Sequence, residues 1–261
     1  MWQHSGSKNK TVMKTIYSKI SIFFAILLLA PIFVQAQQSS SNLSVNASTV
    51  IESRHYWRGI PVSTAPTFTG SLSLAAGNFT AGYWGGYSFD NTYAEFDFFM
   101  SYSIGNFSIS LWDLYVDLEN DGSYDKYWNF TDSTTTHNFD LTLSYRISNN
   151  FPLTTSLSTM VYGADGRMED GEYKQNYSTY LEFSYPVQIN ENDNLNFFLG
   201  SSIMDEPNAY GTGAGFGVVH TGVMATKSIK VSEQYSIPVT ATIAMNPQSE
   251  FGYFVLQLAL L

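Results

Sequence analysis

From Gly77 to Leu111 the chain reads GNFTAGYWGGYSFDNTYAEFDFFMSYSIGNFSISL, and no other stretch limits the fold as strongly. Starting at Phe79, the odd positions carry Phe79, Ala81, Tyr83, Tyr87 and Phe89, while the even positions carry Thr80, Gly82, Trp84, Gly86 and Ser88. A period of two makes a strand with one apolar face, whereas a helix would spread these residues around its circumference. After Asp90-Asn91 the alternation resumes in opposite phase, with Phe96, Phe98, Met100, Tyr102 and Ile104 facing one way and Glu95, Asp97, Ser101 and Ser103 the other. Gly105-Asn106 then suits a two-residue hairpin turn into a further alternating run. Segments of about ten residues, bulky and apolar on one side and small or charged on the other, are the signature of a transmembrane β-barrel.

The same alternation recurs along the chain and gives about 12 strands, an even number as bacterial barrels require. The expected fold is therefore all-β, an up-and-down antiparallel barrel. The first strand is read from Leu43 to Trp57, with Glu52, Arg54 and Arg58 on its polar side. The fifth, Phe107 to Leu118, changes phase between Ile109 and Trp112, so a bulge near Leu111 is expected. Later runs include His137 to Ile147, with Asp140 and Arg146 on the polar face, and Tyr177 to Tyr185, with Glu182 on it. Leu195 to Ile203 and Gly215 to Ile229 are apolar with ambiguous phase. Connection lengths sort by parity. Gly77-Asn78, Gly105-Asn106, Ser148 to Pro152, Gln188 to Asn194 and Lys230 to Tyr235 are short, and the opposite end collects Glu119 to Ser133, Gly163 to Gln175 and Asp205 to Ala214. Short turns at one end and long loops at the other mark an outer-membrane barrel with its amino terminus on the periplasmic side.

Residues 1–36 read as an export signal, because Lys8, Lys10, Lys14 and Lys19 precede an apolar run from Ile20 to Val34, and Val34-Gln35-Ala36 places small residues at the cleavage site. The run is shorter than the roughly 20 apolar residues of a membrane anchor and contains Pro31. Residues 37–261 then form one barrel domain, and Met13 offers a more ordinary start for the signal. Removing four lysines and no acidic residue takes the formal charge from −10 to −14, which excludes the basic footprint of a nucleic-acid binder. Charged residues make up 13% and aromatics 16%, too little charge to cover a soluble surface. Cysteine is absent, so no disulfide or thiolate site is available.

Between residues 55 and 102 the runs HYWRGIPVS, PTFTGSLSLAAGNFTAGYWGGYSFD and AEFDFFMSYSIGNFS carry a recognisable pattern. An aromatic-Arg-Gly-Ile element falls on Trp57-Arg58-Gly59-Ile60 with Ser63, a Pro-x-x-x-Gly strand on Pro66 and Gly70, a Gly-x-Trp strand on Gly82 and Trp84, and a Glu-x-Asp strand on Glu95 and Asp97. In these elements the chain resembles the TorF-type porin family over roughly the first third of residues 37–261. Two departures stand out. LWDLYVDLENDG lacks the proline of that family's fifth strand, and the chain ends on Leu260-Leu261 where outer-membrane barrels usually present an aromatic residue to the barrel-assembly machinery. The resemblance implies an outer-membrane channel for small solutes and supplies no catalytic residue.

With the apolar faces turned to the outer-membrane bilayer, Glu52, Arg54, Arg58, Trp84, Glu95, Asp97, Asp140, Arg146 and Glu182 line the lumen, joined by Asp113 and Asp117 if the fifth strand is bulged. Separate acidic and basic arcs would set up a transverse field that selects small polar or zwitterionic solutes, with Arg54, Arg58, Glu95 and Asp97 at the constriction. The bland alternative is a lumen filled by salt-bridged side chains. Trp84 between Gly82 and Gly86 is either a stacking platform for a ring or a large residue for which the glycines make room. Trp57, Tyr83, Tyr87 and Tyr145 suit an interfacial girdle. His55, His137 and His220 lack metal-ligand spacing and no local nucleophile motif is present, so neither a cofactor, a metal nor an enzyme is expected. A second class of reading is a non-conducting structural or ligand-binding barrel that acts through its acidic loops, which hold Asp121, Asp125, Tyr124, Tyr127 and Trp128 in one and Asp165, Glu169, Asp170 and Glu172 in another.

Overall fold

The alternating runs pair edge to edge until the last meets the first. In the computed structural model, which describes residues 43–117, 127–204, 208–212 and 215–260, the strands in chain order are β1 (Leu43–Glu52), β2 (His55–Trp57), β3 (Ile60–Ser63), β4 (Thr67–Ala76), β5 (Phe79–Ser88), β6 (Ala94–Ile104), β7 (Phe107–Asp117) and β8 (His137–Arg146). They continue as β9 (Thr154–Gly163), β10 (Gly166–Glu169), β11 (Glu172–Gln175), β12 (Thr179–Gln188), β13 (Asp193–Ile203), β14 (Phe216–Lys230), β15 (Ser236–Asn246) and β16 (Phe251–Ala259). Twelve of them close an antiparallel up-and-down barrel in the order β1-β16-β15-β14-β13-β12-β9-β8-β7-β6-β5-β4, and β2–β3 and β10–β11 form separate two-stranded hairpins. The seam is short. Val50, Ile51 and Glu52 pair with Ala259, Leu258 and Gln257, extended by bonds of 2.8 Å from Ser53 N–H to the Leu256 carbonyl and from Leu260 N–H to the Thr49 carbonyl. The expected export signal lies outside the described residues, as do Asp121, Tyr124, Asp125 and half of the segment 205–214.

Because directly opposed residues share a face, the registers fix which side chains look outward. Leu72, Tyr83, Phe96, Ile109, Leu143, Leu157, Phe183, Phe197, Ile243 and Phe254 stand 37% to 64% exposed on the outer wall. Among the described residues the buried set is mostly polar, with 18 polar or charged residues against nine apolar ones. That is the reverse of a soluble core. The half of the lumen nearest the short turns is a wall of hydroxyls and amides tied across strands, as in Ser48–Ser71 at 2.7 Å, Ser144–Ser156 at 2.8 Å, Thr226–Thr240 at 2.8 Å and Ser184–Asn196 at 2.9 Å.

Three sequence expectations are corrected. The first strand does not run to Trp57 but stops at Glu52, and the residues after it turn back as β2–β3. No bulge interrupts β7, whose pairing with β8 keeps one register from Phe107↔Tyr145 to Tyr115↔His137. The phase change has another cause, because Trp112 continues the inward row and stacks on Phe99 at 4.5 Å. Asp113 consequently shares the outer face with Phe98 and Phe139 rather than the lumen, and Asp117 closes β7 with its side chain outside the described residues. A shift does occur in β14, where Gly200↔His220 gives way to Ser201↔Val218 and leaves Val219 as the extra residue. That explains the ambiguous phase of this run.

Candidate functional site

The hairpin β2–β3 carries the site. Trp57 pairs with Ile60, so Arg58 and Gly59 form a two-residue turn with φ of 49° and 81°. Positive φ at both central residues is the geometry of a type I′ turn. Gly59 is required twice over, since an added Cβ would also overlap the Val219 carbonyl oxygen. Asn246 of β15 donates to the Gly59 carbonyl at 3.2 Å.

From that tip the hairpin reaches several parts of the barrel wall. Tyr56 stacks on Tyr253 of β16 with centroids 3.8 Å apart, and Trp57 and Ile60 pack against Tyr180, Tyr210 and Val219. Arg58 donates Nη1 to Asp140 Oδ2 of β8 at 2.6 Å and to the Tyr210 hydroxyl at 2.9 Å, and its guanidinium lies over the Trp57 and Tyr180 rings. Burial, offset by Arg58, pushes the Tyr210 hydroxyl up to about 12, so it remains protonated. On the near side, His55 lies between the rings of Trp84 and Tyr93, each 5.5 Å away, and bonds Glu52 at 2.6 Å.

Around the hairpin stands a set of carboxylates. Glu52 also accepts from Gln257 at 2.9 Å, Glu95 accepts from the Tyr93 hydroxyl, and Asp97 accepts the Tyr115 N–H at 3.2 Å. Burial, and then the Glu95 charge, raises the Tyr93 hydroxyl far above the ordinary phenol range and keeps it a donor. Glu182 accepts from Tyr180 at 2.6 Å and stands 3.6 Å from His220 Nδ1, with its side chain still 29% exposed.

Of the residues expected in the lumen, Glu52, Trp84, Glu95 and Asp97 come together around His55, while Arg58, Asp140 and Glu182 gather beyond the hairpin tip. Arg54 is exposed at the bend after β1, and Arg146 is exposed at the short-turn end of β8. Neither reaches the cluster, so no basic arc exists among the described residues and Arg58 is committed to Asp140. Trp84 is not an open platform. It packs beside His55, and Gly86 makes room for it, since a Cβ there would lie 2.9 Å from Trp84 Cη2. Trp57 sits in the lumen rather than in a girdle, whereas Tyr83, Tyr87 and Tyr145 face outward, about half exposed. Sequence reasoning missed Tyr56, Tyr210, Asn246 and Tyr253 as wall contacts. The available signal was Arg58-Gly59 flanked by short aromatic and β-branched runs, which is a hairpin pattern.

Asp113, on the outer wall, is also partnered locally. It bonds His137 Nδ1 at 2.6 Å, and His137 Nε2 donates to the Tyr127 carbonyl at 2.7 Å, beneath the rings of Tyr115, Tyr127 and Phe130.

Taken together, the fold and site define a class: a closed 12-strand barrel with an apolar outer wall and a lumen crossed by its own first hairpin. No family model matches the chain, and no curated protein matches it.

Proposed function

We propose that the chain is an exported outer-membrane barrel of TorF-type porin character that passes small polar solutes through a lumen narrowed by β2–β3. The observation that carries this reading is the hairpin set inside a polar-lined barrel. Glu52, Glu95, Asp97, Asp140 and Glu182 surround it, and Arg58 is the single guanidinium among them. Charged groups at a constriction sort permeants by sign, and with Arg58 paired to Asp140 the acidic side chains of Glu52 and Glu182 favour small cations and zwitterions over anions. The apolar outer wall suits lipid, which also accounts for the shortage of surface charge. The reading assigns no catalytic residue.

The hairpin is anchored firmly enough to favour a second reading, a barrel closed at rest that acts through its loops. Planar-bilayer recording separates the two. The channel reading expects discrete steps with a reversal potential displaced toward the cation, and larger steps when residues 54–64 are replaced by a short glycine-serine link. Silence in the intact chain with conductance in the shortened one would identify a closed barrel, and silence in both would end the channel reading.

A further inference from the structure

A groove opens on the outer wall at the long-loop end, where β9 leaves the barrel. Val161, Tyr162, Tyr173, Lys174, Gln175 and Tyr177 line it together with Asp132, around a volume of about 370 Å³. Ligand pockets for small molecules start at about 300 Å³. Tyr162 donates its hydroxyl to the Phe130 carbonyl and Tyr173 donates its hydroxyl to the Gly163 carbonyl, so both rings are held in place. Tyr177 is 54% exposed and sits at φ 58°. Gln175 uses its amide N–H groups on the Met160 carbonyl and Asp165, which leaves its side-chain oxygen to accept. Among the described residues Lys174 is held by an exposed pair with Glu172 at 3.2 Å, a contact of the weak surface kind.

Fixed aromatic rings next to a carboxylate, an amide oxygen and an ammonium are the elements that recognise a sugar: ring faces meet its C–H surface, acceptors take its hydroxyls, and the ammonium takes an anionic substituent. Position on the barrel adds a constraint. Leu157 and Thr159 lie on the outward row of β9, the β8–β9 register then shifts and leaves Val161 unpaired, and Tyr162 pairs with outward-facing Phe139, so the groove lies on the outer face next to the apolar wall. We infer that this groove holds the anionic sugar head of a membrane glycolipid, with the acyl chains lying along β9. The inference rests on the outer wall facing lipid and is independent of whether the lumen conducts. A plain aromatic girdle would leave its hydroxyls in water, whereas these are bonded to backbone and frame a concavity.

The test uses the full chain in a sugar-free amine-oxide detergent and measures displacement of a fluorescent rough-type lipopolysaccharide. Unlabelled lipopolysaccharide should compete at least about tenfold better than phosphatidylglycerol, and Tyr177→Asn and Lys174→Gln should each weaken it about fivefold or more. Asparagine tolerates the positive φ at 177, and unchanged heat-modifiable migration would show that both variants keep the barrel. Equal competition by phosphatidylglycerol, or variants that bind as the parent does, would overturn the site. Delipidated oligosaccharide is expected to compete more weakly than the intact glycolipid, and competition equal to that of the intact glycolipid would overturn a lipid source. Protease protection of the chain in vesicles reports separately on insertion, so failure of the lipid-facing reading is distinguishable from failure of the groove.

Discussion

Arg58 and Asp140 meet at 2.6 Å although β8, which carries Asp140, lies five strands from β1 in one direction around the barrel and seven in the other. Only a segment that crosses the lumen can close that distance, and the two-residue turn at Arg58-Gly59 ends the crossing with a guanidinium aimed at the far wall. Asp140 is almost fully buried and Arg58 is one-sixth exposed, so each needs the other.

Removing one partner of such a pair strands the other. Arg58→Ala is expected to cost about 3–5 kcal/mol of stability, the range for a broken buried ion pair. The exchange Arg58→Asp with Asp140→Arg should recover part of it. Urea unfolding of the refolded barrel in micelles, followed by tryptophan fluorescence, reads both values. A loss under about 1 kcal/mol for Arg58→Ala would show that stacking on Trp57 and Tyr180 holds the hairpin without the pair.

Gly59→Ala tests the tip by shape rather than by charge. The substitution meets the Val219 carbonyl oxygen and a φ of 81°, with the left-handed conformation alone costing about 1–2 kcal/mol. The hairpin should leave its seat, making the bonds after Arg54 and Arg58 sensitive to trypsin while the barrel strands remain protected. Digestion that proceeds as in the parent would mean that the tip adapts in place.

Much of this was legible from alternation alone: the number of barrel strands, the outward aromatic rows, and the sorting of short and long connections. What alternation could not show was where a strand leaves the wall. Glu52, Arg54 and Arg58 share one parity, and a periodic reading therefore kept them on one strand, yet only Glu52 belongs to the barrel. Trp112 was misread for a related reason. A large residue on the inward face looks like a phase error until its partner Phe99 is known, and that partner lies on another strand. Asp113 then appears lumenal when it is not.

The two faces can be tested one residue apart. Leu141 faces outward and Thr142 inward, where Thr142 bonds Ser158 at 2.7 Å. On the reading that the outer wall meets lipid, Leu141→Arg near mid-strand should cost about 2–4 kcal/mol in folding into phosphatidylcholine vesicles. Thr142→Arg should cost much less, because its charge enters a polar lumen. Equal costs at the two positions would remove the distinction on which the membrane reading depends.

Asp113 and His137 break the rule that charge stays off the outer wall, and the geometry explains how it is tolerated. The Tyr127 carbonyl can only accept, so His137 Nε2 carries a proton. Its Nδ1 faces Asp113 Oδ1 at 2.6 Å, so each side chain supplies the other's hydrogen-bond partner. His137 is fully buried and Asp113 nearly so, which keeps the pair away from the surrounding apolar surface. His137→Leu or Asp113→Leu alone leaves a charged or polar group unpaired and should destabilise the barrel by about 1–3 kcal/mol or more. The double substitution removes both groups and presents an all-apolar wall, so it should be less damaging than either single change. Unfolding measurements on the three variants form a double-substitution cycle. Additive losses would show that the two residues act separately, Asp113 on the wall and His137 on the loop that starts at Tyr127. A double variant more stable than both singles would identify the pair as a local device for holding that loop against the barrel.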